Sequence, residues 1–561
     1  MFIPELLHFF ILPIIIGLIG GFSAYLFRIF IQFFSYQYDK IDAIGSIDFY
    51  LLSMPLLFYL SHITINNFLR DRANVTIDEI AKKISLLSGR FSFIKGFLVL
   101  LFTSLSIGFG VPIGREGPIA KLGGLLSEVF LLTVKTQRIN MPIYLSAGVS
   151  SAIAATFNAP IAGVIFGIEI IIGRINSYII IPLVVACATS TMVAREFIGD
   201  YTAFYVPPLH YSDAYFKYMP LAGIFFALIA LVLTFSLKRM RKLRYKYRYK
   251  WKYIIVFIGF FVGVLIVLEP QIKGVGYEYI NQIFSAGYKS DTAFEIMASK
   301  LLAIILSIGS GIFGGMMSPS IFIGAFGGYW LGGEISHFQT AIDPRVFALV
   351  GSAAMLSGVS RAPLRSAVII TELTHSYQML LPILITSSIA AYIVAKSESG
   401  SYFKRGLLQR GIDIEDPGVL NFFNTCKLEN YLDKIEPIKP NDVLNKILRR
   451  FRKAHSNYLP VVDEENKLIG ILSLRDVRKS RLIRTKKRKA LKVSNLMSKR
   501  PFAISDQSVK EDLYKAISIL NADHVPYVKP DGTYVGMINI NKLLKSMTLH
   551  QQGYRIKGFF R

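Results

Sequence analysis

Arg115 and Glu116 stand side by side in GFGVPIGREGPIAKLGG (residues 108–124), inside an otherwise apolar stretch. An ionised side chain in a bilayer core costs a few kcal/mol, and Gly and Pro interrupt helices. Two readings fit: a loop in water, or a non-helical stretch lining a cavity at membrane depth. A second stretch, GSGIFGGMMSPSIFIGAFGG (309–328), has the same make-up: it is rich in Gly, carries a Pro and leads into a hydrophobic run. Pro is well placed in a first helical turn, where its missing N–H would be unpaired anyway. Each stretch therefore reads as a loop feeding a helix N-terminus. Free backbone N–H groups and the positive end of the helix dipole suit an anion there. Two such ends from two parts of the chain could converge on one anion.

The elements that must hold these ends are membrane helices. Of 561 residues, 52% are hydrophobic and 18% charged, and the mean hydropathy is +0.45. Hydrophobic runs recur up to about residue 396. Several exceed the ~20 residues that span a bilayer; others are short or contain Gly and Pro. This predicts a polytopic membrane protein with tilted, broken helices. Glu5 and His8 precede the first apolar run without a basic region, so that run is expected to stay as the first membrane helix. The two cysteines, Cys187 and Cys426, build neither a disulfide framework nor a metal cluster. No G-x-x-x-x-G-K-[ST] loop and no metal-spaced His/Cys/Glu group is present. That argues against a nucleotide-driven pump or a metalloenzyme, and the expectation is no enzyme, no metal and no required cofactor.

The net charge of +26 is unevenly placed. KRMRKLRYKYRYKWK (238–252) holds nine Lys/Arg and no acid between two hydrophobic runs, and RKSRLIRTKKRKALK (478–492) is a second basic run. Tyrosines alternating with cations could suggest RNA. Between spans, an orientation signal facing the cytoplasm plus contact with anionic lipid is the better reading, so membrane lipids and not nucleic acid are the expected partners.

Two internal repeats appear. AGVSSAIAATFNAPIAGVIFGIE ends at Glu169 and VGSAAMLSGVSRAPLRSAVIITE at Glu372; Gly148 and Gly351, Pro160 and Pro363, and Glu169 and Glu372 are all 203 residues apart. Two related halves are expected, about 10–200 and 215–412, with the substrate site between them near the midplane. After residue 415 the composition turns polar. HSNYLPVVDEENKLIGILSLRDV (455–477) is echoed by ADHVPYVKPDGTYVGMININ (522–541), each a β-rich run after a proline, a turn and a second short strand. A two-copy α+β module over 416–550, about 420–480 and 493–547, is expected on the cytoplasmic side.

Together these features resemble the CLC family of chloride channels and chloride/proton antiporters. Gly114-Arg115-Glu116-Gly117-Pro118 is similar to that family's GREGP motif, FNAPIAG (157–163) is another match, and GMMSP (315–319) takes the place of its GxFxP segment. The resemblance spans about 10–412. The tail resembles a pair of cystathionine-β-synthase (CBS) motifs. The implied fold is an all-α polytopic membrane domain over 1–415, made of two inverted repeats with broken, tilted helices, followed by a cytoplasmic α+β CBS pair. The resemblance also implies a multi-pass protein of an inner or plasma membrane and a homodimer with one anion pathway per subunit. Glu116 would be a gating glutamate that competes with the anion and carries protons in antiporters. The amides of Met316 and Met317 would face the anion.

Three positions depart from the pattern. Aligning ANVTIDEI (73–80) with the family's GSGIP segment puts Val75 where an anion-coordinating serine would stand, which loses a hydroxyl donor. Ile170 stands at the position of the antiporters' internal proton-transfer glutamate and cannot carry a proton; Glu169 beside it reads as a structural or interface acid. Tyr402 is the candidate for the tyrosine that coordinates the internal anion. In the tail, Ser473 and Asp476 match the Ser/Thr-x-x-Asp that contacts adenosine nucleotides such as ATP, while the second copy has Asn539-Ile540-Asn541-Lys542. The resulting expectation is chloride or other small-anion transport, tilted by Ile170 toward a passive voltage- or pH-gated channel. The alternatives are a chloride/proton antiporter, a fluoride exporter of the same fold prompted by Val75, and a membrane-anchored nucleotide sensor.

Overall fold

A left-handed residue followed by Ala-Pro cuts the apolar runs 142–173 and 346–371 at equivalent places. Asn158 (φ 52°) and Arg361 (φ 55°) end one helix. Ala159 (φ −134°, ψ 80°) and Ala362 (φ −129°, ψ 77°) then turn the chain, and Pro160 and Pro363 open the next helix. The residue before a proline is driven out of the helical region, so both breaks are written in the Ala-Pro pairs. The computed structural model that shows this describes residues 6–42, 49–65, 92–134, 136, 141–172, 177–200, 202–209, 213–339, 342–397, 428–442, 447, 450–451, 456–479, 492–499, 501–505, 524–543 and 546.

The described residues form two compact units, one up to residue 397 and one from residue 428. The first is helical. Its first half contains α1 (Leu12–Asp42), α2 (Tyr50–Thr64), α3 (Phe93–Gly108), α4 (Glu116–Thr133), α5 (Met141–Phe157), α6 (Pro160–Phe166), which continues as a π-turn over Gly167–Ile172, and α7 (Ser177–Ile198). The second half contains α8 (Met219–Lys246), α9 (Trp251–Leu268), α10 (Tyr277–Ser285), α11 (Ser290–Ser310), α12 (Met317–Phe338), α13 (Pro344–Ser360), α14 (Pro363–Thr374) and α15 (Leu380–Ser397). Six of the described helices are long and apolar enough to cross a membrane, and five more are apolar but shorter.

The same partners pack in each half. α1 lies on α5 and α7 as α8 lies on α13 and α15, and α4 lies on α5 as α12 lies on α13. Lipid tails are as apolar as Leu, so small residues that let backbones approach decide such crossings. A methyl on Gly123 would lie 2.4 Å from the Gly148 carbonyl oxygen, and one on Gly324 2.2 Å from that of Gly351. The glycines of the sequence repeat are thus the contact points of equivalent crossings.

In the second unit, β2 (Tyr458–Val462) and β3 (Leu468–Ser473) form an antiparallel hairpin, and so do β6 (His524–Val528) and β7 (Tyr534–Asn539). Register shifts fall at equivalent places, between Val461 and Val462 and between Tyr527 and Val528. β1 (Leu432–Asp433) joins the second hairpin by pairing with β7, β4 (Ser498–Lys499) pairs with β3, and β5 (Ile504–Ser505) runs parallel to β6. Ile438, Leu459, Val461, Leu472 and Met537 are among the residues of one buried core.

Asp433 ties β1 to the second hairpin. It accepts from His524 Nε2 (3.0 Å), Asn539 Nδ2 (2.8 Å) and Lys542 Nζ (2.6 Å). Partial burial pushes its carboxyl upward, but Lys542, Asn539 and His524 outweigh that and hold it at about 2. A depressed carboxylate stabilises the fold above its unfolded pKa of about 4, and that contribution is lost as pH falls through 2. Protection of the β6 and β7 amides in the full-length protein, taken as exchange relative to the intrinsic rate at each pH, should therefore fall between about pH 4 and pH 2. In Asp433→Asn that fall in protection should disappear; identical protection profiles would contradict the assignment.

Candidate functional site

Both Gly-rich stretches leave their helices in the same way. Gly110 (φ 90°) follows α3 and Gly311 (φ 109°) follows α11. Val111 N–H returns to Ser106 O at 2.8 Å and Ile312 N–H to Ser307 O at 3.2 Å. These are left-handed caps that only glycine adopts at no steric cost. Each loop then meets the other. Gly114 N–H donates to Gly315 O (3.0 Å) and Gly315 N–H to Gly114 O (2.6 Å), an antiparallel bridge between equivalent residues of the two halves. Antiparallel pairing of equivalents requires a local two-fold axis, so the halves run in opposite senses here. Buried Lys300 of α11 supports this loop region: its Nζ donates to Ile272 O (2.7 Å) and Gly274 O (2.8 Å), and Gly274 N–H donates to Gly110 O (2.8 Å).

Past the bridge, α4 and α12 begin. Glu116 is the first residue of α4 and is fully buried. Its Oε1 accepts from the backbone N–H of Ser318 at 2.8 Å and from the Ser318 hydroxyl. Ser318 is the second residue of α12. One half's acid therefore occupies an N-terminal N–H group of the other half's helix, where negative charge is favoured. Tyr277 lies behind, its hydroxyl 3.0 Å from Ser318 Oγ. Since Ser318 donates to Glu116, Tyr277 donates to Ser318. Among the described residues, Glu116 Oε2 has no hydrogen-bond partner. It fills the space over two bare glycines: a methyl on Gly114 or Gly315 would lie 2.2 or 1.9 Å from it.

Arg115 is not the partner of Glu116. Its Nη2 donates to Thr156 O (3.3 Å) at the end of α5, and its guanidinium lies over the rings of Phe157 (5.4 Å) and Tyr277 (5.3 Å). Gly117 and Pro118 form the buried first turn of α4. Met316 caps α12 and Met317 opens it, both buried; N–H groups at these positions have no acceptor inside a helix. Val75 and Tyr402 lie outside the described residues. The site brought together is therefore Gly114, Glu116, Gly315, Met316, Met317 and Ser318, with Arg115 and Tyr277 at its edge.

Ser318 and Tyr277 were not singled out from the sequence. Ser318 stands inside GMMSP, but a serine there gives no sign that it will meet an acid 202 residues away. A second crossing between halves was also not foreseen. Glu372 of α14 accepts from Ile161 N–H (3.0 Å) and Ala162 N–H (2.6 Å), capping the start of α6. In the equivalent place, fully buried Arg365 of α14 lies in the field of Glu169.

In the tail, Ser473 Oγ donates to Asp476 Oδ2 (2.5 Å) and Asp476 N–H donates back to Ser473 Oγ (3.1 Å). This reciprocal pair caps the short helix α16 (Leu474–Lys479), so both side chains are engaged with each other.

Gly315→Ala tests the packing of Glu116 without altering its charge. The new methyl would meet the far end of the Glu116 side chain, which can swing aside, and would lie 3.2 Å from the Glu116 backbone nitrogen, which must give by a few tenths of an ångström. The expected result is a Glu116 carboxylate displaced from Ser318 in a crystal structure of the variant. A carboxylate still seated on Ser318 would contradict the placement of Oε2 over Gly315.

A family model described as voltage gated chloride channel matches residues 56–395, and a CBS domain model matches residues 432–482. The chain is 27% identical over 318 residues to the H(+)/Cl(-) exchange transporter ClcA of Vibrio cholerae (strain O395), covering 54% of this chain and 67% of the relative. It is 25% identical over 456 residues to chloride channel protein CLC-f of Arabidopsis thaliana, covering 71% and 58% respectively. The crystal structure of a eukaryotic CLC transporter superposes with a TM-score of 0.65 at 20% identity, over 96% of this chain and 98% of that one.

Proposed function

This chain belongs to the voltage-gated chloride channel family, and on that premise we propose that it moves chloride across a membrane in exchange for protons, with Glu116 as gate and proton carrier. One observation carries the reading: the carboxylate of Glu116 occupies the amide of Ser318 at the N-terminus of α12. Moving a small ion from water into a low-dielectric medium costs on the order of 20 kcal/mol by the idealised Born estimate. Backbone N–H groups at helix ends offset that cost without holding the ion as tightly as a fixed cationic side chain. A chloride ion arriving at Ser318, Met317 and Met316 wants the donors that Glu116 uses, so anion and carboxylate exclude each other. Protonating Glu116 removes its charge and with it the competition. Each proton taken up thereby favours an anion in the site.

Ile170 tilted the sequence reading toward a passive channel. The relative named as an H(+)/Cl(-) exchange transporter favours exchange, and exchange is the reading adopted. The channel remains a second reading on one observation, the lack of a titratable group at Ile170. The basic segment 238–252 supports a cytoplasmic position for the ends of α8 and α9, and a cytoplasmic tail belongs to the same proposal. Two copies per transporter and adenosine-nucleotide binding at Ser473 and Asp476 belong to the same proposal; a nucleotide would have to part that pair.

The test uses the protein in chloride-loaded liposomes, with a potassium ionophore to release the membrane potential. Chloride leaving down its gradient should draw protons inward against theirs, alkalinising the external solution, and a proton carrier should abolish the signal. Chloride efflux with no proton movement would replace exchange by the channel reading. No efflux of chloride or fluoride in any condition would end both.

A further inference from the structure

We propose that the turn joining α8 and α9 is a docking ledge for anionic phospholipid headgroups, and that its occupancy is passed to the pore loop through Ser310. α8 runs from Leu228, Val232 and Phe235, whose side chains are exposed in a membrane helix, directly into Arg239, Arg241 and Lys242. α9 reverses the order, with exposed Tyr253 one turn before exposed Phe257. The ledge thus continues the apolar belt at the depth where a bilayer presents its headgroups. Of the nine cations in 238–252, seven are exposed, with no acid among them. Tyr245 and Tyr249 stand out among these cations, 78% and 79% exposed. Arg248 lies 4.6 Å from the ring of Tyr249 and Lys252 4.8 Å from that of Tyr253. Amphipathic rings beside amines and guanidinium groups, level with the ends of two spans, match an anionic lipid surface.

Two side chains of the same segment turn inward. Arg244 Nη1 and Trp251 Nε1 both donate to the carbonyl of Ser310, at 3.4 and 3.2 Å. Ser310 is the last residue of α11, and the next residue is the left-handed Gly311. A methyl on Gly311 would lie 2.1 Å from Arg244 Nη1, so the guanidinium packs on the hinge itself. From that hinge the chain runs to Gly315, which bridges to Gly114 and lies against Glu116. Lipid drawn to the exposed cations reorients the segment that carries Arg244 and Trp251. The hinge ahead of the gate feels that change.

The binding half of this proposal is independent of the transport reading; the coupling half rests on it. Protein extracted from phosphatidylcholine vesicles containing phosphatidylglycerol is analysed by native mass spectrometry for retained lipid. Wild type should retain phosphatidylglycerol preferentially. Each exposed cation near an anionic surface contributes roughly five-fold, so the five-fold variant Arg241→Gln, Lys242→Gln, Lys246→Gln, Arg248→Gln, Lys250→Gln should lose at least about ten-fold of that preference. If the variant does not insert, wild type at 1 M salt, where screening shrinks to about 3 Å, should show the same loss. Undiminished preference in either case overturns the ledge. So does a short RNA that binds wild type equally well in pure phosphatidylcholine. Chloride efflux is then measured at rising phosphatidylglycerol fractions. Wild-type efflux should change at least two-fold, while Arg244→Gln and Trp251→Phe should keep the lipid preference but lose the response. A response retained in both variants overturns the coupling. Lipid preference without chloride efflux in any membrane would leave the ledge standing and defeat the transport reading instead.

Discussion

In Glu116→Gln, chloride flux should persist while proton movement stops. Glutamine keeps the shape of the side chain and can still meet Ser318, but it carries no proton and no charge with which to oppose an anion. In the parent, flux should rise as pH falls. In the variant the profile should be flat, and the external alkalinisation that accompanies chloride efflux should vanish. Proton movement that survives in Glu116→Gln would place the carrier elsewhere. A pH profile that survives without proton movement would separate gating from exchange.

Glu372→Ala should cause the largest loss of stability outside the pore. The carboxylate accepts from two backbone N–H groups at the start of α6, where α5 has just broken at Asn158. Removing it strands the Ala162 donor in a buried place and the Ile161 donor in a half-buried one, and each unsatisfied buried group costs about 1–3 kcal/mol. A total of roughly 3 kcal/mol is expected, read as a lower midpoint of thermal unfolding in detergent. Glu372→Gln, which keeps one oxygen acceptor, should lose about half as much. Equal midpoints for all three proteins would contradict the role of Glu372 as a cap between the halves.

Much of the membrane architecture was legible because backbone breaks need special residues. Ala159-Pro160 and Ala362-Pro363 were legible as repeat partners, although the helix break that each makes was not read from them, and the offset of 203 residues placed α5 against α13 and α6 against α14 in the repeat. The two Gly-rich stretches could be read as helix starts because Gly and Pro have few other uses between apolar runs. What the sequence did not reveal is which donor meets which acid. Expectation put the amides of Met316 and Met317 at the anion, whereas Ser318, one residue further along, holds Glu116. Glu372 was visible as the repeat partner of Glu169, but its acceptor role depends on α14 lying across the start of α6. Such contacts join residues about 200 positions apart, and no local propensity encodes them. Ser473 and Asp476 carry the opposite lesson: a spacing that suits a nucleotide also makes a helix cap, and here the two side chains satisfy each other.

The account stands on rivalry between Glu116 and an anion for the N-terminus of α12. The most direct measurement is the anomalous scattering of bromide in crystals of Glu116→Ala, which vacates the position, beside crystals of the parent at alkaline pH. Bromide within hydrogen-bond distance of the Ser318 backbone nitrogen in the variant, and a carboxylate in its place in the parent, is the expected result. Bromide at Ser318 with the Glu116 carboxylate still seated there, or no bromide at that helix end in either crystal, would contradict it.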